Sequence, residues 1–331
     1  MSRKITFFII ALVVLIGGGS YYFLTINPPT EEKLFVIGVI TNPPSLDSAL
    51  SGFKEGMRSR GYEEGRNIRY IIEPGGGNLG SAKAVAERLI AERVDAIYTM
   101  GSNGARAAKE VTAEKNPSLP VIFGVVSNPV GGGLVQGIQS SGNNLTGVTP
   151  NNENLNTKRL EILLAMLPGT KRIVMGWSDP NTSGIENLRR AAQALHVELV
   201  EKKFTDAAAM KAFYASFPFE KGDVIFRSTD GISGTIIRDV VSISLERKIP
   251  LSGTNSVDVE FGALMSYGAN FSKIGEQAAR LMDTVLHGTK PSELPIELPE
   301  TVEFVVSMKT AALLGLTIPD AALIDASRVI R

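Results

Sequence analysis

The sequence lacks cysteine altogether and has only two histidines, His196 and His287, among its 331 residues. Without thiolates the chain can build no disulfide, no iron–sulfur cluster and no Cys/His zinc site, although a metal site made of oxygen ligands stays open. It also lacks a net charge, because 34 Lys and Arg residues balance 34 Asp and Glu residues. No overall field therefore attracts a phosphate backbone, and nucleic acid is not an expected partner.

Signatures of common catalytic machinery are missing or weak. No serine stands in a G-x-S-x-G nucleophile elbow, and no Walker A sequence occurs. Residues 75–80 read GGGNLG, lie between a predicted strand and a predicted helix, and precede Asp95 at the spacing of a dinucleotide fingerprint. Against such a site, Pro74 interrupts the approach to the loop and Asp95 begins a strand instead of ending one. A glycine-rich connection is the simpler interpretation, and we expect no catalytic residue, cofactor or metal.

The N-terminal segment indicates the cellular compartment of the protein. After Arg3 and Lys4, residues 5–26 carry no charge, and as a helix they would reach roughly 33 Å, about the thickness of a bilayer core. Residues 1–30 are therefore predicted to be a cleaved signal peptide, with the small residues 17–20 near the cleavage point, or a retained membrane anchor. The remaining alternative, a buried core helix, would have to stand detached from the rest of the chain, before the breaker at residues 27–30. Either way the positive N-terminus stays inside, and residue 31 onward lies outside the cytoplasm. Without cysteine the protein is not a lipoprotein.

From residue 34 onward, short apolar runs alternate with amphipathic stretches, which is typical of βα units around parallel sheets covered by helices. With 44% hydrophobic residues, the chain has enough apolar side chains for two cores. Strands are predicted over residues 35–40, 68–72, 94–100, 121–126, 145–149, 172–177, 197–201, 223–227, 249–252 and 263–267. Helices are predicted over residues 46–60, 81–92 with Ser81 as the cap, 105–115, 154–166, 183–195, 207–217 and 234–247. An Asn-rich stretch at 151–154 divides this series into two similar α/β lobes, 31–150 and 151–267.

The loops that follow the predicted strands are rich in Ser, Thr, Asn and Asp. Turn formation and helix capping would explain any one of these residues. Together they predict a cleft for a small polar ligand, because the carboxyl ends of both sheets face each other there. We predict as ligand-binding residues Ser102, Asn103, Asn128 and Thr149 of the first lobe, and Asn181, Asp230, Asn255 and Tyr267 of the second lobe and hinge. In this hypothesis Ser102 and Asn103 donate to a carboxylate, Asp230 accepts from an amine, and Tyr267 covers an apolar face.

Several segments in order resemble the substrate-binding proteins of ABC importers, in the family that includes tryptophan- and tyrosine-type binding components. The segments are GFKEGM at 52–57, GYEEGRN at 61–67, VDAI at 94–97, SNPVGGGLV at 127–135, NLTGV at 144–148, KRLEIL at 158–163, GALMSYG at 262–268, HGTKP at 287–291 and KTAALLGLTIP at 309–319. The resemblance spans residues 34–330.

This resemblance implies the type I periplasmic-binding-protein fold, with two Rossmann-like lobes, three crossovers and no chemistry on the ligand. It implies that residues 268–290 return to the first lobe, mainly as a helix at 271–287, and that residues 291–331 complete the second, with 302–308 crossing back. It implies an ABC permease and an ATPase as partners. The chain departs from the family at Asn128, where members commonly carry an aspartate that suits a ligand amine.

The first hypothesis is thus an extracytoplasmic solute-binding component of an ABC importer, for a small polar or amino-acid-like ligand. The alternative is a membrane-anchored, ligand-sensing ectodomain that reports to another membrane protein. A third hypothesis, an oxidoreductase using a nucleotide cofactor at residues 75–80, depends on the glycine motif alone. Ligand identity stays open at this point: aromatic amino acids are implied by the resemblance, and short polar loops suit sugars, nucleosides or small peptides as well.

Overall fold

The computed structural model of the chain describes residues 33–41, 46–179 and 184–331. Two predictions fall outside this part of the chain: the signal peptide or anchor at residues 1–30, and Asn181. Among the described residues, no helix is both long and apolar enough to cross a bilayer. The described chain forms two α/β lobes, each built around its own sheet.

Both sheets are largely parallel, as the continuous apolar runs predict. The strands are β1 (Phe35–Thr41), β2 (Ile68–Pro74), β3 (Ala96–Met100), β4 (Val121–Gly124), β5 (Leu145–Gly147), β6 (Arg172–Trp177), β7 (Glu198–Lys203), β8 (Asp223–Phe226), β9 (Leu251–Gly253), β10 (Met265–Ala269), β11 (Val302–Ser307) and β12 (Arg328–Ile330). The first sheet has the order β2-β1-β3-β4-β5, and the second has the order β12-β11-β10-β9-β8-β6-β7. In the second sheet β10 and β11 pair antiparallel, which lets the chain return after its excursion through the first lobe.

Helices cover the sheets. They are α1 (Asp47–Arg58), α2 (Leu79–Ala91), α3 (Ser102–Lys115), α4 (Asn152–Met166), α5 (Ile185–Ala194), α6 (Ala207–Ser216), α7 (Gly231–Thr235), α8 (Ile237–Arg247), α9 (Ser256–Phe261), α10 (Phe271–Leu286), α11 (Met308–Leu314) and α12 (Asp320–Leu323). A short 3₁₀ turn spans Pro291–Glu293. The helix predicted over residues 234–247 is divided at Ile236, so α7 is a separate short helix whose start faces the space between the lobes.

Each sheet is buried on both faces, which explains why its strands are apolar without alternation. In β1, Ile37 belongs to one core cluster and Ile40 to the cluster on the opposite face. In β6, Ile173 and Val174 divide in the same way between the two clusters of the second lobe. The lobes therefore have separate cores, and the space between the lobes belongs to neither core.

Three crossings connect the lobes and lie side by side. The backbone N–H of Thr149 donates to the carbonyl oxygen of Glu297 at 2.9 Å, and that of Asn270 donates to Thr301 at 3.0 Å. The first crossing follows β5, the second joins β10 to α10, and the third leads to β11. Helix α10 packs on α1 of the first lobe.

Two local predictions are wrong. Helix α2 is capped by Asn78, whose Oδ1 accepts from the backbone N–H of Ser81 at 3.0 Å, so Ser81 lies inside the helix.

Residues 291–300, predicted to belong to the second lobe, lie against the first sheet: Ile296 is buried in the first-lobe core and its N–H donates to Ile138. Their apolar contacts are with residues distant in sequence, which local patterns do not reveal. We propose that the division between the lobes falls near residue 300.

Candidate ligand-binding site

A cavity of about 650 Å³ lies where the carboxyl ends of the two sheets face each other. Its volume suits a ligand of small-molecule size. Its wall is formed by Leu46, Gly76, Gly77, Asn78, Leu79, Gly101, Ser102, Asn103, Val125, Ser127, Ser178, Asp179, Lys203, Phe204, Thr205, Asp206, Ala207, Arg227, Thr229, Asp230, Gly231, Ile232, Gly234, Thr235, Thr254, Asn255 and Phe271. Four of the predicted ligand-binding residues are among them: Ser102, Asn103, Asp230 and Asn255.

On the first-lobe side, the start of α3 faces the cavity. Gly101 precedes this helix with φ 77°, a left-handed conformation that glycine adopts without strain, and it supplies no capping side chain. The first backbone N–H groups of a helix have no intrahelical acceptor, so those of Ser102 and Asn103 are available to an anion in the cavity. The Asn103 side chain is already engaged, because its Nδ2 donates to Gly77 at 2.9 Å and holds the glycine loop against α3.

On the second-lobe side, Asp230 organises two loops. Its Oδ1 accepts from the Ser233 N–H at 3.0 Å and so caps α7, while its Oδ2 accepts from the Ser178 N–H at 2.9 Å and from the Ser228 hydroxyl. The residue is 2% exposed. A carboxylate offers about four lone-pair positions, so one further donor fits beside these three. Asp230 therefore has a structural role and can accept one further hydrogen bond.

Asn255 and Arg227 complete the buried polar part of the wall. Asn255 caps α9, since its Oδ1 accepts from the N–H groups of Val257 at 2.9 Å and Asp258 at 3.3 Å. Arg227 donates through Nη1 to Asp258 Oδ2 at 2.8 Å and to the Thr254 hydroxyl. This arginine, predicted only as the last residue of a strand, is a candidate site residue that the sequence analysis missed.

Three predicted residues lie outside the cavity wall. The Asn128 side chain folds back on its own loop, where Oδ1 accepts from the Gly131 N–H at 2.8 Å. The Thr149 hydroxyl, in the first crossing, donates to the Ser127 carbonyl oxygen at 3.2 Å. Tyr267 does not end its strand as predicted, because β10 continues to Ala269. Its ring packs against the second-lobe core instead.

The glycine-rich loop contributes to the wall without the arrangement that a dinucleotide needs. Gly76 and Gly77 adopt positive φ values and line the cavity before α2 begins. Asp95, however, accepts from the Val36 N–H at 2.8 Å and pairs with Lys33, at the amino ends of the strands. An acidic residue that binds a ribose would have to lie at the carboxyl ends, on the opposite edge of the sheet.

Apolar side chains form the rest of the wall, and the sequence analysis missed these too. Phe271 begins α10, Leu46 immediately precedes α1, and Phe204 follows β7. Trp177, the last residue of β6, is a core residue at 9% exposure whose indole N–H donates to Glu201. No local signal marks Phe271 or Leu46, since each reaches the cavity only because α1 and α10 pack together. The site thus combines buried polar groups with an apolar surface.

Comparison with known proteins places this architecture among transport proteins. Residues 35–330 match the family described as ABC transporter substrate binding protein. A curated relative, the tyrosine-binding protein of Clostridioides difficile (strain R20291), is 26% identical over 284 residues, which are 85% of this chain and 80% of that protein.

Solved structures share the fold. A conserved domain protein from Vibrio cholerae is 26% identical and superposes with a TM-score of 0.81, over 90% of this chain and 99% of that chain. An ABC domain from Streptococcus pneumoniae, solved in complex with L-Trp, is 24% identical with a TM-score of 0.81, over 90% of this chain and 100% of that chain. The two-lobed architecture is therefore common to all of them.

Proposed function

The chain belongs to the family of ABC transporter substrate-binding proteins, and from this premise we propose that it captures an amino acid with an aromatic side chain, such as tryptophan or tyrosine, for import. The observation that carries the proposal is the cavity between the lobes, which has buried polar groups on one side and apolar side chains on the other. A zwitterion with an aromatic side chain matches both surfaces. The names of the C. difficile and S. pneumoniae relatives support the same ligand class.

In this proposal Asp230 accepts from the ligand ammonium, while the start of α3 supplies neutral donors to the carboxylate. Leu46, Phe204 and Phe271 surround the aromatic ring. Contacts from both lobes exist together only when the lobes are closed, so the ligand shifts a hinge equilibrium by its higher affinity for the closed form. The closed form is what an ABC permease recognises, and the ligand leaves unchanged.

The proposed place of action is outside the cytoplasm, with residues 1–30 acting as the signal or the anchor. The mass of the mature protein purified from its host separates these two possibilities, because cleavage removes the apolar segment. Uptake of labelled amino acid by cells with and without the gene separates import from sensing. Loss of an importer component should abolish uptake, whereas loss of a sensor would leave the permease and its uptake unchanged.

Thermal unfolding in the presence of L-tryptophan, L-tyrosine, L-phenylalanine and a panel of sugars and nucleosides tests the ligand class. A ligand at a hundred times its Kd stabilises the protein by about 2.7 kcal/mol, which raises the Tm by several degrees. We expect this shift with the aromatic amino acids. Stabilisation by sugars or nucleosides alone would overturn the proposed ligand class.

A further inference from the structure

Formal charge is distributed unevenly around the cavity. In the described part of the wall, all the charged residues belong to the second lobe: Asp179, Lys203, Asp206, Arg227 and Asp230. The first lobe contributes glycine, serine, asparagine and apolar residues to the wall. A charged ligand therefore has its ionic partners on one side of the cavity.

Arg227 stands out among these residues by its burial and by its incomplete hydrogen bonding. It is 6% exposed, whereas Lys203 and Asp206 are open to solvent. Nη1 is held by Asp258 and by Thr254, but Nε is buried and has no acceptor among the described residues. A guanidinium N–H left unpaired in the interior costs free energy, and an acceptor supplied by a ligand would remove that cost.

The residues behind Arg227 hold it firmly in place. Arg159, 1% exposed, donates from Nη2 to the Arg227 carbonyl oxygen at 2.7 Å and from Nη1 to Gly253 at 3.0 Å. Its guanidinium lies 3.9 Å from the centre of the Phe226 ring. Arg159 therefore holds the main chain of Arg227, while Asp258 and Thr254 hold its side chain through Nη1.

The balance of charge around Arg227 favours an anion. Arg159 and Arg227 have one carboxylate close by, that of Asp258, and it pairs directly only with Arg227. Burial, helped by the charge of Arg227 and opposed by that of Asp258, lowers the pKa of Arg159 to about 9. Asp230, the buried carboxylate of the wall, receives its hydrogen bonds from Ser178, Ser228 and Ser233. Arg159 and Arg227 thus carry two positive charges against the one carboxylate of Asp258, while the other carboxylates of the wall are Asp179, Asp206 and Asp230.

We propose that Arg227 binds the carboxylate of the ligand, so that the second lobe holds the charged end of the ligand before the first lobe closes over it. This inference rests on the proposed function, since it assumes an amino-acid ligand. It goes further by assigning the anionic group to a residue, and by assigning the first step of binding to one lobe. An arginine fork can hold Asp258 with one edge and a ligand carboxylate with another, which a lysine cannot do.

The test compares ligands with and without the carboxylate charge on proteins with and without the arginine fork. Calorimetry at about pH 6 measures the Kd of L-tryptophan, L-tryptophanamide, L-tyrosine and L-tyrosinamide; at that pH the ammonium of each ligand stays protonated. For the unaltered protein we expect the acid to bind at least about tenfold more tightly than the amide. In Arg227→Lys this preference should fall below about threefold, because the remaining ammonium stays with Asp258.

Each outcome is decisive. If neither amino acid binds the unaltered protein, the proposed function fails and the inference fails with it. If the amino acids bind but their amides bind equally well, only the inference is overturned. The same holds if Arg227→Lys keeps the full preference for the acid, because the carboxylate partner must then be another group.

Two further variants guard against misfolding. Arg328→Lys is the matched control: this exposed arginine of the second lobe pairs with Glu260 away from the cavity, and the change should leave the acid-to-amide ratio as it is. If Arg227→Lys does not unfold cooperatively, the double change Arg227→Gln with Asp258→Asn removes both partners of the buried pair, so that neither charge is left without the other. It should lose the preference for the acid to the same extent.

Discussion

Asp230 combines a structural role with a proposed ligand contact, and its replacement should reveal both. In Asp230→Ala the Ser233 N–H loses its cap, so we expect stability to fall by about 1 kcal/mol or more. Loss of the ammonium acceptor should weaken L-tryptophan binding by at least about tenfold, which is roughly 1.4 kcal/mol. Urea unfolding measures the first quantity and calorimetry the second.

A variant that loses the N-cap of a different helix serves as the control for Asp230→Ala. Ser307 caps α11 by accepting from the Thr310 N–H at 3.0 Å, far from the cavity. Ser307→Ala should therefore reduce stability without changing affinity. Affinity retained in Asp230→Ala would leave this residue with its structural role only.

Buried tyrosines make the stability of the protein sensitive to alkaline pH. Burial raises the pKa of Tyr98 and of Tyr214 above the usual value near 10. Above about pH 10 the unfolded chain releases these protons while the folded chain keeps them, so each tyrosine lowers stability by about 1.4 kcal/mol per pH unit. Arg159 acts in the opposite direction, since its lowered pKa makes the unfolded chain hold the extra proton above about pH 9. Because burial also raises the pKa of Tyr62 and Tyr70, four tyrosines oppose one arginine, and stability falls above pH 10.

The variant Tyr98→Phe isolates one of these contributions. Its hydroxyl makes one long hydrogen bond, 3.4 Å to the Ala49 carbonyl oxygen, so little else is lost. The free energy of unfolding of both proteins can be measured in urea at pH values from about 9 to 11. Above pH 10, the variant should gain stability relative to the unaltered protein by about 1.4 kcal/mol per pH unit. A constant difference would mean that Tyr98 ionises as easily in the folded protein as in the unfolded chain.

Among the elements, α1 and α10 make a very close backbone contact, and this contact positions part of the cavity wall. A Cβ atom on Gly275 would lie 2.1 Å from the Ala49 carbonyl oxygen, and one on Gly52 would lie 2.0 Å from that of Ser272. The two backbones therefore touch, and no larger side chain fits between them. Leu46 and Phe271, at the starts of the two helices, reach the cavity as a consequence.

Gly275→Ala should force these helices apart. We expect a loss of stability of about 1–3 kcal/mol from overpacking, together with weaker binding of L-tryptophan as Phe271 moves. Gly80→Ala is the matched control, because this helical glycine of α2 has only the Asn78 side chain near its missing Cβ, at 3.5 Å. There the change should stabilise by about 0.4–1 kcal/mol. Equal stability of the two variants in urea would show that the helices separate without cost.

Sequence patterns predicted the elements better than the contacts between them. β6 was predicted at its observed bounds, because a continuous apolar run bounded by polar residues suffices to mark a buried strand. The pairing of Arg227 with Asp258 could not be predicted in this way, since it forms only when the loops after β8 and β9 lie together. The same limit applies to Ile296, whose burial in the first lobe depends on the path of the third crossing. Asn128 is of a residue type that is common in binding sites, yet its side chain accepts a hydrogen bond within its own turn.

At the scale of the whole molecule, the hinge and the charge distribution together suggest an order of events. The crossings are tied side by side through Thr149, Glu297, Asn270 and Thr301, which favours one coordinated bending motion over independent movement of each segment. The first-lobe wall has no formal charge among the described residues, whereas the second lobe holds Arg227 and Asp230. An open protein should therefore bind its ligand on the second lobe and then close.

Binding kinetics can separate these two steps. Trp177 is the only tryptophan in the sequence, and it directly precedes the cavity residue Ser178, so its fluorescence can report on L-tyrosine binding. The observed rate of the fluorescence change should rise with ligand concentration to a plateau. The concentration at half of the plateau reports the affinity of the first encounter, and the plateau rate reports closure of the lobes. Arg227→Lys should raise the half-saturating concentration by at least about tenfold. Asn103→Ala, which frees the glycine loop of the first lobe, should leave that concentration unchanged and accelerate ligand release. If Asn103→Ala instead weakens the first encounter as much as Arg227→Lys does, the ligand meets both lobes at once, because a residue that acts only after closure cannot alter a step that precedes it.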